Sequence, residues 1–287
     1  MRSRNFKLVL EYDGTDFAGW QVQPGLRTVQ GVLEETIGDL LVRIASGRSR
    51  GGGPVGGGGE DVPRTDEEDS NGRSGEAQTE ACPRGGEETS ITGSGVAQPC
   101  VGPGDGGAGE LARDRVSVTG AGRTDAGVHA LGQVASVRVS VDLDPDRLTA
   151  ALNARLPDDL IIKETVEVAA SFNARFSATS RRYLYLLSGQ ESPIWRKRRW
   201  YVRYDLDAAS MKRAAQILEG EHDFSSFCIS GSEPDHHRCR VDGISLEWEA
   251  AFGGVLAFRI EANRFLRGMV RSIVGTLVDV GRGRIAP

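Results

Sequence analysis

Residues 120–137 read GAGRTDAGVHALGQVASV and hold one acidic side chain, Asp125, inside a loop that contains several glycines. A short apolar run, Val116–Val118, leads into this loop, and Val137 and Val139 then alternate with polar residues as a half-buried strand would. A rigid strand can present a reactive group on the loop that follows it. The stretch therefore predicts a functional carboxylate mounted on a β-sheet.

The rest of the chain outside residues 46–112 alternates between strand and helix patterns. Strands are predicted at Phe6–Tyr12, Leu160–Val168, Arg182–Leu187, Ile244–Trp248 and Leu256–Ile260, and helices after Thr28, Asp144 and Asp207 and from Phe265 to Val280. Mostly alternating strands with helices between them predict an α+β fold, with a mostly antiparallel sheet and helices packed on it. The second half of the chain repeats the first in outline, so we expect two related halves.

Residues 46–112 differ from the rest of the chain. They carry 19 of its 38 glycines, 5 basic and 12 acidic residues, and no Phe, Trp or Tyr. Such a segment cannot bury enough apolar surface to offset its ordering entropy, so it is predicted to be a disordered, acidic insertion. The predicted organisation is then an N-terminal half of residues 1–45 and 113–180, this insertion, and a C-terminal half of residues 181–287.

The overall charge of −5 comes from that insertion, since the remaining residues carry 30 basic and 28 acidic side chains. The part predicted to fold is therefore not acidic, and a polyanionic partner is allowed. No apolar stretch approaches membrane-spanning length, and no pair of the four cysteines has the C-x-x-C spacing. We expect a cytoplasmic protein with no membrane contact, and the sequence does not separate this location from the nucleus or an organelle.

Several chemical roles for Asp125 can be compared. It could cap a turn, but Arg123 and His129 place more polar groups in the loop than a turn requires. A glycosidase pair needs a second carboxylate, and none stands in a comparable loop. Cys228, His236, His237 and Cys239 lack the spacing of a familiar zinc site, so no metal is predicted. The remaining hypothesis is that an ionised Asp125 acts as a nucleophile without a metal.

The loop GRTDAGVHALGQV (residues 122–134) resembles the active-site signature of the tRNA pseudouridine synthase A family. Further similar motifs follow one another in the family's order over nearly all of the chain outside residues 46–112. They are LEYDGTDFAGWQVQP and TVQGVLEETI (10–24 and 28–37), LNARLPDDL (152–160), SFNARFSATSRRYLYLL (171–187), LEGEHDFSSF (218–227) and NRFLRGMVRSIVGTLVDVGRG (263–283).

The resemblance implies that uridine in the anticodon stem-loop of tRNA is isomerised to pseudouridine, without a cofactor, in a cleft between the two halves. Asp125 matches the family's nucleophilic aspartate, and Arg271 matches the arginine that pairs with it. We expect this pair to be buried and bidentate. Tyr183 matches the tyrosine that stacks on the target base and assists proton removal at C5, and Arg123 matches an arginine used near the RNA and the flipped base. The resemblance also implies a homodimer that shares the tRNA between its subunits.

A basic and aromatic run, IWRKRRWYVRY (194–204), suggests RNA contacts, to which Arg181, Arg182, Arg238 and Arg240 would add charge.

The chain departs from the family in its insertion and in an early end at GRGRIAP, so its C-terminal half is expected to be truncated. Two other functions also stay open. One is a catalytically weak relative that binds RNA, and the other is an enzyme that cleaves the glycosyl bond of a small nucleoside.

Overall fold

The computed structural model describes residues 2–48, 116–229, 236–250 and 254–287. In chain order the strands are β1 (Arg4–Tyr12), β2 (Val118–Gly120), β3 (Ala130–Val139), β4 (Leu160–Val168), β5 (Arg181–Ser188), β6 (Trp200–Tyr201), β7 (Gly220–Asp223), β8 (Arg238–Glu249) and β9 (Val255–Ala262). The α-helices are α1 (Val29–Arg48), α2 (Pro145–Asn153), α3 (Ala174–Ser177), α4 (Ala208–Gln216) and α5 (Met269–Gly281). This mixture of separate strands and helices confirms the α+β prediction.

The strands form two hydrogen-bonded sheets, one from each half of the chain. The first has the order β2-β3-β1-β4, and all its pairings are antiparallel. The second has the order β6-β5-β9-β8-β7, in which the short β5–β6 pairing is parallel and the others are antiparallel. The boundary predicted between residues 180 and 181 falls directly before β5, the first strand of the second sheet.

Helices α1 and α2 cover one face of the first sheet. Alternate residues of β1, namely Phe6, Leu8 and Leu10, have no exposed surface and pack in one core with these helices. Thr28 accepts a hydrogen bond from the Gly31 amide at the start of α1, and Asp144 caps α2. These caps and strands lie where local periodicity and capping residues predicted them.

Helices α4 and α5 cover the second sheet, and one apolar side of α5 enters its core. Asp207 caps α4 through the amides of Ala209 and Ser210, as its position predicted. The predicted start of α5 at Phe265 is wrong, because Gly268 adopts a left-handed conformation (φ 70°) and the helix begins at Met269.

Two other boundaries differ from the prediction. Strand β3 begins at Ala130, seven residues before the first of the alternating valines, because Gln133 and Ala135 on one face and Gly132 and Ser136 on the other are all buried and give no alternation. Helix α1 continues to Arg48 and so includes residues 46–48 of the range predicted as an insertion. Residues 49–112 of that range lie outside the described residues.

Among the described helices, none has both the length and the apolar character that crossing a membrane requires.

Candidate active site

The loop that carries Asp125, residues 121–129 and called here the catalytic loop, rests on a second loop that follows β1. The backbone carbonyl of Thr124 accepts a hydrogen bond from the Trp20 amide at 2.9 Å, and the Gly127 amide donates to the carbonyl of Phe17 at 3.3 Å. The buried hydroxyls of Thr124 and Tyr12 lie 2.9 Å apart. The residues on either side of Asp125 are thus held by backbone and side-chain bonds, which fixes the place of its carboxylate.

Two glycines shape the catalytic loop and the end of the strand before it. The backbone carbonyl of Asp125 accepts a turn-closing hydrogen bond from the Val128 amide at 3.2 Å, and Gly127 inside that turn adopts φ 79°, which favours glycine. Gly120 lies against the ring of Trp20, where a Cβ atom would come within 2.6 Å of ring carbons. Gly122 has open space beside it, so it makes no comparable contact.

Asp125 and Arg271 meet across the two halves of the chain. The guanidinium Nη2 of Arg271 donates to Oδ2 of Asp125 at 3.0 Å, although the residues stand 146 positions apart in the sequence. The prediction that this pair is buried is wrong, since the side chains of Asp125 and Arg271 are 47% and 52% exposed. Their contact is one hydrogen bond to one carboxylate oxygen, and not the bidentate fork that was expected.

Tyr183 lies near Asp125. Tyr185, two residues later on the same face of β5, lies in the core. Tyr183 is half-buried and packs edge-on against Phe265, with ring centroids 4.9 Å apart, whereas Tyr185 is 5% exposed. Burial raises the pKa of the Tyr183 hydroxyl to about 12, and the nearby negative charge of Asp125 also raises it. Tyr183 is therefore a neutral phenol at neutral pH.

Arg123 and Arg181 have different surroundings. Arg123 is exposed on the catalytic loop, two residues before Asp125. Arg181, expected to face RNA, instead donates to the backbone carbonyls of Ala121, Arg175 and Asn263 at 2.8–2.9 Å. It thereby joins the catalytic loop to the segments before β5 and after β9, a structural role that no local sequence pattern indicates.

Several side chains of the basic and aromatic run have partners within the protein. Arg199 is buried at 6% exposure, Arg198 is paired with Asp13, and Arg203 bonds to the hydroxyl of Tyr204. Arg182, Arg238 and Arg240 each have a carboxylate partner, so little of the predicted charge is uncommitted. Arg196 and Lys197 remain exposed in the turn. In the described ranges, no three His, Cys, Asp or Glu side chains are arranged to hold a metal ion.

Comparison with known proteins gives a consistent result over nearly the whole chain. The family described as tRNA pseudouridine synthase matches residues 8–177 and 214–287. The chain is 34% identical over 284 residues to tRNA pseudouridine synthase A of Acetivibrio thermocellus, covering 98% of this chain and 86% of that protein. It is 35% identical over 288 residues to the protein of the same name from Thermosipho africanus, covering 99% and 87%. A third, from Halalkalibacterium halodurans, is 34% identical over 279 residues, covering 96% and 78%.

Proposed function

Because this chain belongs to the tRNA pseudouridine synthase family, we propose that it isomerises uridine to pseudouridine in the anticodon stem-loop of tRNA, with Asp125 as the nucleophile. The observation that supports the catalytic role most directly is the 3.0 Å bond between Asp125 and Arg271. A lone carboxylate on a braced loop, joined by an arginine from a distant helix, suits a reaction that requires one ionised group.

The reaction is an isomerisation, so its atoms balance without an oxidant or a second substrate. The bond from uracil N1 to C1′ of the ribose breaks, the base turns, and a bond from C5 to C1′ forms. The proton leaves C5 and N1 gains one. A carboxylate can begin this by adding to C1′ or to C6, or by removing a proton from a sugar carbon, and each route uses an ionised Asp125.

The target uridine must leave its stack to reach Asp125, and an aromatic side chain can receive its face. Tyr183 has that position beside Asp125, and its edge-on packing against Phe265 holds the ring. Because its pKa is raised, Tyr183 in the free protein offers a ring face and a protonated hydroxyl. Arg123 and Arg271, both exposed, supply positive charge for the phosphates next to the extruded nucleotide.

The test is the release of tritium from tRNA labelled at uracil C5. The wild-type protein should release tritium, and Asp125→Asn should abolish release while Asp205→Asn, a matched change at an exposed aspartate, should not. Positions that react with carbodiimide should then map to the anticodon stem-loop. Release by Asp125→Asn at the wild-type rate would exclude the nucleophile, and turnover of free uridine in place of tRNA would favour a nucleoside enzyme.

Three further properties are proposed on the basis of the family resemblance. They are a homodimer that shares the tRNA, a cytoplasmic location, and catalysis without a cofactor. Sedimentation of the purified protein at several concentrations tests the first, because a homodimer should show twice the 30.8 kDa mass of the chain. A single species of monomer mass at every concentration would contradict it. Dialysis against a chelator without loss of tritium release tests the absence of a metal requirement.

A further inference from the structure

His129 ends the catalytic loop and lies four residues after Asp125, but the proposed chemistry gives it no role. Its side chain is among the few buried polar groups of the structure, at 9% exposure. Its contacts reach both halves of the chain: Asp13 and Gly14 in the first, and Lys197 in the second. A buried imidazole with partners on both sides of a cleft is well placed to join them.

The contact to the second half fixes one proton of the imidazole. Nε2 of His129 lies 2.8 Å from the backbone carbonyl oxygen of Lys197. A carbonyl oxygen accepts hydrogen bonds and never donates them, so Nε2 must carry a hydrogen. The catalytic loop is therefore hydrogen-bonded directly to the exposed basic turn that contains Lys197.

The contacts to the first half allow two protonation states. Nδ1 of His129 lies 2.9 Å from Oδ1 of Asp13 and 3.3 Å from the Gly14 amide nitrogen. A neutral imidazole accepts from the Gly14 amide, whereas an imidazolium donates to Asp13. Either state leaves the bond to Lys197 in place, so the bridge between the halves does not depend on the charge of His129.

Asp13 makes a second bridge to the same turn. It forms an ion pair with Arg198, and it accepts a hydrogen bond from the Thr15 amide at 3.0 Å. Burial alone would raise the pKa of Asp13, but the bonds from Thr15 and the charges of His129 and Arg198 outweigh it and lower that pKa. Asp13 is thus an anion at neutral pH. Glu11, Asp158 and Asp159 line the same cavity as His129. Asp159 is paired with Arg27 and Glu11 with Lys163, and Asp158 is exposed.

We propose that His129 and Asp13 form a clamp that positions the basic turn, residues 193–199, against the catalytic loop. This inference rests on the proposed function, since the positioned ligand is tRNA. The clamp engages the backbone at Lys197 and the side chain of Arg198, and it leaves Arg196 and Lys197 exposed for phosphate contacts. His129 is thus a positioning residue for substrate binding and makes no contact with the reacting atoms.

The test separates the two ring nitrogens. His129→Gln places an amide donor near the position of Nε2 and can keep the bond to Lys197, whereas His129→Asn keeps a polar group only near Nδ1. We expect the Asn variant to raise the KM for tRNA about tenfold, the scale of one lost hydrogen bond, with the rate at saturating tRNA nearly unchanged. The Gln variant should remain within about threefold of wild type in both quantities.

A double-mutant cycle and a salt titration make the outcome decisive. If the clamp is one unit, Asp13→Asn and His129→Asn should raise the KM less together than the product of their separate effects. A variant whose basic turn no longer reaches the RNA should bind tRNA with a weaker salt dependence. The slope of log K against log salt should fall by about one for each phosphate that the turn no longer neutralises, which a merely structural defect would not cause.

The inference is overturned if both His129 variants lose activity equally, if the rate at saturation falls while KM is unchanged, or if the Asp13 and His129 effects multiply. Circular dichroism identifies any variant that fails to fold, and the salt titration of Asp13→Asn then decides alone. Failure of the wild-type protein to release tritium from tRNA would instead refute the proposed function. An active wild type with any of these contrary variant results refutes the clamp only.

Discussion

Replacing Arg271 separates its catalytic role from any contribution to stability. In Arg271→Met the stem of the side chain is kept and the hydrogen bond to Asp125 is removed. The pair is one bond of 3.0 Å between side chains that are about half exposed, so its loss should cost the folded state about 0–1 kcal/mol. For a chain of this size that corresponds to a shift in Tm of at most about 2–4 °C.

The effect on the reaction should be much larger. Asp125 would lose the donor that orients it, and loss of one preorganised charged donor typically lowers a rate by about 10²–10³-fold. Arg271→Lys keeps the charge, and since the structure shows one contact and not a fork, a lysine should retain more activity than methionine. We expect the rate order wild type, Lys, Met.

The assay is single-turnover tritium release at saturating tRNA, with Tm measured on the same samples. Arg147→Met is the control, because Arg147 also forms an exposed ion pair, with Asp144 at 3.3 Å at the start of α2. It should leave the rate unchanged. The reasoning is refuted if Arg271→Met keeps the wild-type rate, or if its loss of rate is matched by a large fall in Tm.

Three other results are expected. Gly120→Ala should destabilise the fold by about 1–3 kcal/mol, because its Cβ would meet the Trp20 ring, while Gly122→Ala should leave Tm nearly unchanged; equal Tm values for the two would contradict this. Tyr183→Phe should retain far more activity than Tyr183→Ala in the tritium assay, because phenylalanine keeps the ring face, and similar losses would mean that the hydroxyl is what matters. The raised pKa of Tyr183 means that the folded state keeps a proton which the unfolded state loses above pH 10, so the free energy of unfolding should fall between pH 10 and about 12, by at most about 1.4 kcal/mol per pH unit. Urea titrations at several pH values should show that the free energy of unfolding falls less for Tyr183→Phe than for the wild type. An equal fall for the two proteins would contradict the raised pKa of Tyr183.

The sequence predicted those elements whose cause is local. Strand β1 and the capped starts of α1, α2 and α4 follow from alternation and capping side chains, which act within a few residues. The start of α5 does not follow, because Gly268 adopts its left-handed conformation where it packs against Ile229, a tertiary contact. The early part of β3 was missed because burial on both faces removes the alternation on which the prediction relied.

At the candidate site the family motifs selected residues that the fold brings together, Asp125, Arg271 and Tyr183, but they did not give the environment of those residues. Exposure of the Asp125–Arg271 pair depends on how the two halves meet, which is a tertiary property. The roles of Arg181 and His129 depend on backbone carbonyls of distant segments, and no side-chain pattern indicates those partners. One sequence feature does indicate a close contact at this site. The loop after β1 has two glycines within residues 13–20, and without side chains there it can pack directly against the catalytic loop.

The most direct test of the central claim is a structure of the Asp125→Asn protein bound to an anticodon stem-loop RNA. The account predicts that the target uridine is extruded, that its base lies on the ring of Tyr183, and that the residue 125 side chain comes within about 3–3.5 Å of C1′ or C6. Arg271 should remain beside residue 125. A uridine still stacked in the RNA, or a side chain at position 125 well beyond contact with that nucleotide, would contradict the account.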